Sequence, residues 1–307
     1  MAIQTSSPAR CPTDGEVERI HDETGAMTLT HYPVFPGIEL IYHDVHLQQH
    51  SHTPAEGGRR YVITHCNVGR IECEWNDGFF YLEPGDISIC RRDAVRTDSY
   101  YPISRYQGLT IVLREDQTPG CMSCFLADVD VYPVEVLDRL CGDADCFVMR
   151  AHPGIAHIFS ELYSVPESIR TGYFKVKVLE LMLFLSCETG AENQARSRTI
   201  PKSQVELGKR VCKFLSAHLS EKITIDHLAR AFHVSPTQLK TSFKAVYGTS
   251  VYAYLRHLKM LAAATELRGG NATILEVAGH YGYDNASKFA KAFRDEMGMS
   301  PNEYRNQ

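Results

Sequence analysis

The 307-residue sequence predicts an α+β chain in two domains, a strand-rich N-terminal half and an all-α C-terminal domain. Three observations carry that prediction. Short β-branched and aromatic runs, separated by turn residues, fill residues 37 to 114. Charge divides sharply between the two halves. A helical unit near the C-terminus occurs twice.

The length suits two domains, and the formal net charge of −5 argues against a polyanion partner for the chain as a whole. That average conceals a split. From Pro201 onward there are 15 Lys and Arg against 9 Asp and Glu, a surplus of six positive charges. Residues 1 to 200 hold 17 basic against 28 acidic side chains, an excess of eleven negative charges. Such asymmetry marks one part built for a polyanion and another for a different task. The opening residues are polar and lack a secretory apolar core. The most apolar run, "VKVLELMLFL" at 176–185, is too short to span a bilayer and contains Glu180. The expectation is a cytoplasmic protein, with no membrane partner and its ten scattered cysteines reduced.

Residues 1 to 30 read as a loose arm, and 31 to 188 as one domain. Within it "GIELIYHDVHLQ", "RRYVITHCNVGRIECEW", "GFFYLEPGDISICRR" and "YQGLTIVLR" read as strands. The turns Asn67-Val-Gly69, Asn76-Asp-Gly78 and Pro84-Gly-Asp86 punctuate them at short spacing. That rhythm predicts a small antiparallel barrel or sandwich. After Asp116, "PVEVLDRLCG", "GIAHIFSELYS" and "GYFKVKVLELMLFLSCE" read as helices. The last is apolar on nearly all sides, as for a helix buried in a core or against a second copy of the chain. Residues 189–203 are a polar linker, and 204–307 are helical and basic.

Two segments of that basic region superimpose. Ile225, Leu228 and Ala229 match Ile274, Val277 and Ala278 at an offset of 49. After one inserted residue, Leu239, Phe243, Gly248, Ser250 and Tyr254 match Phe289, Phe293, Gly298, Ser300 and Tyr304 at an offset of 50. Thr224 and Thr273 suit N-caps of a first short helix. Ser235-Pro236 and Asn285 suit the starts of a second, and Gly248 and Gly298 its ends. Two short helices joined by a tight turn form a helix-turn-helix, whose second helix enters the DNA major groove. Between the copies a helical pattern runs from Val251 to Arg268. Its eighteen residues make a rod of roughly 27 Å, against about 34 Å for one duplex turn. The spacing predicts two reading helices presented to successive grooves.

The pattern Ile274, Val277-Ala278, Gly282-Tyr283, Ser287, Phe289, Phe293, Gly298, Ser300-Pro301 and Tyr304-Arg305 resembles the signature of the AraC/XylS family of bacterial transcription regulators. "YLEPGDISIC" resembles, more loosely, a turn of the sensing domain many members carry. The resemblance implies an N-terminal cupin-like antiparallel β-barrel with a helical dimerisation segment, and a C-terminal all-α domain of two helix-turn-helix motifs joined by a linker helix. It implies a dimeric regulator of double-stranded promoter DNA responding to a small-molecule effector, with RNA polymerase as a further candidate partner. No cofactor and no catalytic set is expected. By position, the DNA-binding candidates are Thr237, Gln238, Lys240, Thr241 and Lys244 in the first copy, and Ser287, Lys288, Lys291 and Arg294 in the second. Early positions face base edges, Gln pairing with adenine and Lys with guanine; Lys244 and Arg294 meet phosphate.

Upstream, His43, His46, His50, His52 and His65 cluster, with Glu72 or Glu74 as a carboxylate. They suggest a metal-dependent cupin enzyme attached to a DNA-binding module as the alternative function, although their flanks read as loop. Cys121, Cys124, Cys141 and Cys146 approach a four-thiolate spacing, with free thiols the default. The barrel interior is the expected effector site. Tyr42, Tyr61, Phe79, Tyr81, Tyr100, Tyr101 and Tyr106 would form its walls, with Arg59, Arg60, Arg91 and Arg92 nearby.

Overall fold

Buried residues on both sides of the strands mean that both faces of the N-terminal sheet are covered, each by a different layer. The computed structural model describes residues 15–22, 25–51, 58–75, 78–92, 98–122, 129–188, 199–270 and 272–306. Chain contacts divide it into two units, residues 1–199 and 200–307.

The first unit holds strands β1 (Glu16–Asp22), β2 (Gly25–Phe35), β3 (Ile38–His46), β4 (Gln49–Ser51), β5 (Arg60–Gly69), β6 (Ile71–Trp75), β7 (Gly78–Leu82), β8 (Ile87–Arg92), β9 (Asp98–Tyr100), β10 (Tyr106–Arg114) and β11 (Cys146–Met149). Three helices follow or flank the last strand: α1 (Pro133–Cys141), α2 (Pro153–Leu162) and α3 (Arg170–Cys187). Seven strands form one antiparallel sheet in the order β1-β2-β3-β10-β5-β8-β11. The hairpin β6–β7 and the pair β4–β9 stand apart from it.

The expected barrel is therefore corrected: among the described residues no sheet closes, and β1 and β11 end the seven-stranded order. Chain breaks set the β6–β7 hairpin apart from the large sheet. Gly69 sits at φ +86°, where a Cβ would lie 1.9 Å from the Arg105 carbonyl oxygen, so β5 cannot run straight into β6. The turn at Glu83–Asp86, where the Asp86 carboxylate accepts from the Glu83 amide at 2.9 Å, likewise separates β7 from β8. The freed halves β6 and β7 pair with each other rather than extending the large sheet. A second correction concerns residues 16–22 and 25–30, which form β1 and the first half of β2 instead of a loose arm.

One face of the sheet packs on the helices. Leu40, Tyr61, Ile63, Ile89, Leu109 and Ile111 meet Leu137, Ile158, Phe159, Phe174, Val178 and Leu181, all nearly solvent-free. The other face buries Met27, Val45, Phe80, Leu82, Tyr101 and Tyr106. The long helix α3 turns one face inward while Val176 and Phe184 remain exposed. Its buried Lys177 is held by Glu161 and, at 2.7 Å, by Glu180.

The second unit is helical: α4 (Lys202–Ala217), α5 (Ile225–Ala231), α6 (Pro236–Tyr247), α7 (Val251–Gly269), α8 (Ile274–His280), α9 (Ala286–Met297) and α10 (Pro301–Arg305). Among the described residues, no helix is long and apolar enough to cross a membrane.

Candidate nucleic-acid interface

Each copy of the repeat folds as helix, turn, helix. The Thr224 hydroxyl accepts from the His227 amide at 3.2 Å and starts α5. At the matching position Thr273 starts α8, and Glu276 reaches back to the Thr273 amide at 2.7 Å to complete a capping box. Hydrogen bonds from the Thr273 backbone and side chain hold the Glu276 carboxyl below its ordinary range. The second helices begin in the same manner. Ser235 accepts from Gln238 at 3.1 Å, and Asn285 from Ser287 at 2.8 Å and Lys288 at 3.2 Å. Gly248 at φ 73° and Gly298 at φ 78° terminate them in left-handed conformation.

The turn between the two helices needs a left-handed residue in both copies. His233 takes that place in the first at φ 55°, and Gly282 in the second at φ 78°. The following amides close equivalent bonds, Val234 to the Ala229 carbonyl at 3.0 Å and Tyr283 to that of Ala278 at 2.9 Å. The inserted residue of the second copy, Asp284, comes next. Small residues at 229 and 278 sit buried where the paired helices cross.

Burial fixes the phase of α6 and α9. Leu239 and Phe243 in one, Phe289 and Phe293 in the other, have no solvent exposure. Phe243 meets Tyr254 edge-on at 5.4 Å, and Phe293 meets Tyr304 edge-on at 5.5 Å, so the two cores repeat to the level of ring geometry. The opposite faces carry the sequence-predicted set. Thr237, Gln238, Lys240, Thr241 and Lys244 are all exposed on α6, as are Ser287, Lys288, Lys291 and Arg294 on α9. Among the described residues, none of these five cations is paired with a carboxylate. Each helix thus offers uncharged polar side chains in its first turn, joined in α9 by Lys288, and positive charge further along.

Helix α7 joins the copies without a break over 19 residues, about 28 Å at the helical rise. Its first half packs Val251, Tyr254 and Leu255 into the first copy; its second half packs Met260, Ala263, Ala264 and Leu267 into the second. Lys259 ties both ends, donating to the Glu221 carbonyl at 3.3 Å and to that of Tyr281 at 3.1 Å. Arg256 at 2.8 Å and His257 at 3.0 Å clasp Glu296 of α9. Helix α4 buttresses the first copy. A Cβ on Gly208 would lie 2.8 Å from the Val246 side chain, so α4 and α6 touch almost backbone to side chain there. The clasp and the Gly208 contact escaped sequence reading, because neither residue pair lies at helical spacing.

The upstream constellations come out differently. His46 lies 3.2 Å from Asp44, and His43 faces Tyr106 with ring centroids 6.0 Å apart. His50 is in β4; His65 is buried and stacks on Phe159 at 4.1 Å. His52 lies outside the described residues. Among the described residues, no group of three or more His, Cys, Asp or Glu could hold a metal. The thiol set is also corrected. Cys146 is disulfide-bonded to Cys90, because register places the two directly opposite in β11 and β8 with Cα atoms 4.1 Å apart. Cys141 is buried, which pushes its thiol up to about 11, and Cys124 lies outside the described residues. The expected aromatic pocket walls are mostly core: Tyr61, Tyr81, Tyr101 and Tyr106 are at most 2 % exposed. Arg91 is spent on Asp138 and Asp145.

A family profile described as a helix-turn-helix domain matches residues 228–307. The HTH-type transcriptional regulator MtrA of Neisseria gonorrhoeae is 27% identical over 168 residues, which cover 52% of this chain and 55% of that one. The HTH-type transcriptional activator AarP of Providencia stuartii is 26% identical over 109 residues, 36% of this chain and 81% of that one. Among solved structures, the C-terminal domain of AraT, a response regulator from Geobacillus stearothermophilus, is 33% identical. That match covers 33% of this chain and 84% of the solved one, with a TM-score of 0.32. The chain thus spans about half the length of the gonococcal regulator. With its two capped, matched helix-turn-helix units and these relatives, the C-terminal domain is a helix-turn-helix domain of the AraC/XylS type of DNA-binding bacterial transcription regulator.

Proposed function

We propose that the chain regulates transcription by reading a double-stranded promoter site with both copies at once, α6 and α9 entering successive major grooves on one face of the duplex. The observation that carries this reading is the shared phase of the two helices. Nine polar or cationic positions are exposed on faces opposite fully buried Leu239, Phe243, Phe289 and Phe293, and one unbroken helix holds the spacing. Thr237, Gln238, Lys240 and Thr241, with Ser287, Lys288 and Lys291, would face base edges; Lys244 and Arg294 would meet phosphate. Residues 31–188 would sense a small molecule, pair two copies of the chain, or both, connected through 189–203 to the reading domain at 204–307. A ligand there changes DNA occupancy only by binding one arrangement of the chain better than another. RNA polymerase is the partner through which an activator bound at a promoter would act.

The test is a titration of the full chain with its upstream promoter DNA across salt concentrations. Counterion release predicts a slope of roughly 0.9 per phosphate contacted. Preference for the true site over scrambled DNA should be on the order of 1,000-fold or more. Equal affinity for all sequences would sink the reading.

A further inference from the structure

Taking it that the N-terminal unit senses a small molecule, we propose that its ligand site is the cleft between the helix-covered face of the open sheet and the end of α2. The ligand that fits it is a single-ring aromatic carboxylic acid with a hydroxyl group at the far end. The site is not between the sheet and the β6–β7 hairpin, where Phe80, Tyr101 and Tyr106 are at most 1 % exposed and leave no room.

Two adjoining hollows of about 200 and 250 Å³ share Thr30, Tyr42 and Tyr163. Register places the floor: Thr30 lies opposite Tyr42, and Thr28 opposite Asp44, so all four side chains leave the same face of β2 and β3. Tyr163, just beyond α2, stands over it. Each hollow is below the roughly 300 Å³ at which pockets for drug-sized ligands begin. A single ring suits that space. The walls suit a ring as well, with Tyr32 and Tyr42 edge-on at 5.8 Å and Tyr42 and Tyr163 edge-on at 5.9 Å.

The two ends differ in charge. One hollow reaches Arg170, whose guanidinium lies 5.5 Å over the Tyr32 ring and donates to the Tyr32 hydroxyl at 3.3 Å. Among the described residues no carboxylate pairs with Arg170. A planar guanidinium held in place beside an apolar wall is suited to a carboxylate. The other hollow reaches Asp44, which accepts from Gln107 at 3.0 Å. A carboxylate accepts but cannot donate, so the ligand's far end must bring a donor. Two wall tyrosines are already committed: the Tyr42 hydroxyl donates to the Leu162 carbonyl at 2.5 Å, and the Tyr163 hydroxyl lies 3.2 Å from His65 Nδ1. They present ring surface, and polar recognition falls to Arg170, Asp44 and the threonines.

The placement also supplies a route for regulation. Arg170 opens α3 and Tyr163 closes α2, so a ligand bound to both tethers the two helix ends. Binding would favour the arrangement in which they are clasped over the sheet.

Isothermal titration of the full chain with 4-hydroxybenzoate tests the site, alongside benzoate and 4-hydroxybenzyl alcohol, which each lack one end group. The expected result is measurable binding of 4-hydroxybenzoate, weaker binding of benzoate and none of the alcohol. Arg170→Gln should weaken binding at least about tenfold, as loss of a charge-assisted contact does. Thr30→Val, nearly isosteric on the floor, should weaken it less, with circular dichroism unchanged in both variants. No binding of any of the three at millimolar concentration, or equal affinity in both variants, overturns the proposal. Promoter titration of the same samples separates the two readings. Intact site preference without ligand binding removes only this cleft, whereas loss of site preference removes the regulator reading itself.

Discussion

The two helix-turn-helix copies share caps, cores and glycine stops, yet each secures its reading helix differently. In the first copy α6 leans on α4 through apolar contact, with Val246 against Gly208. At the matching position of the second copy stands Glu296, bound by Arg256 and His257 of the connector. The first copy therefore has a helix of its own as buttress, and the second borrows the rod that sets the spacing. The comparison teaches that duplication preserved what the turn geometry demands and left the docking of each copy free to diverge.

The largest effect should come from the shared core. Phe243→Ala and Phe293→Ala each remove a fully buried ring and should each destabilise the domain by about 3–5 kcal/mol. Hydrogen exchange would locate the damage. The expected outcome is lost protection concentrated in the copy that carries the change, with α7 affected in both cases. Uniform loss over both copies from either variant would mean that the copies do not behave as separate modules.

The reading faces come next. Lys288→Ala and Lys240→Ala should each weaken binding to the promoter site by about 1–3 kcal/mol if they contact base edges, and relax specificity in different half-sites. Arg294→Ala and Lys244→Ala should weaken all DNA alike and lower the salt slope by about one. Binding titrations against half-site mutants separate the two patterns. A variant that loosens both half-sites equally would show that its residue does not read bases.

The left-handed corner gives a smaller and opposite pair. A Cβ at Gly282 would find only Lys259 Nζ at 3.5 Å, so the cost of Gly282→Ala lies in its φ of 78° rather than in a clash. It should destabilise by roughly 1–2 kcal/mol. His233→Gly relieves the same strain at φ 55° but adds freedom to the unfolded chain, so the net change should be a gain below about 1 kcal/mol. Thermal melting of both variants checks the sign. Equal destabilisation by both would mean that the His233 side chain contributes more than its backbone strain.

The repeat was legible because its signals are local. Threonine, serine and asparagine caps, apolar spacing and two glycine stops each act within a few residues, and they phased α6 and α9 well enough to put all nine candidate side chains on exposed faces. The open sheet was not legible, because alternation along a strand reports which face is buried and not whether the end strands meet. Strand β1 was missed for a related reason. "EVERIHD" is a largely exposed edge strand that carries four charged residues, so its composition resembles a tail. The Cys90–Cys146 bond, 56 residues apart, depends on strand order alone. The proposed cleft draws on β2, β3, α2 and the start of α3; of its aromatic lining only Tyr42 was anticipated, and proximity in sequence links few of the rest.

The smallest effect tests the divergence itself. Burial alone would raise the Glu296 carboxyl, but hydrogen bonds from His257 and Arg256 prevail and hold it below the ordinary range. A depressed carboxylate adds stability that is fully present above its unfolded value, near 4.5, and is lost as pH falls through the lower folded value. Val246 has no proton to take up, so the docking of the first copy is indifferent to the same change. Acidification below pH 4.5 should therefore loosen α9 from the connector before α6 leaves α4. The contribution should be near 1 kcal/mol or less, since Arg256 and His257 are about 40 % exposed and water screens the pair. Hydrogen exchange followed over that acid range would resolve the order of loosening. Glu296→Gln keeps the shape, drops the charge and should erase the difference between the copies; Glu296→Val, which installs the first copy's residue without its α4 partner, should leave α9 loosened at every pH. If acid loosens both copies together in the parent chain and in Glu296→Gln alike, the ionic clasp is not what secures the second reading helix, and its hold must come from the Phe289 and Phe293 core alone.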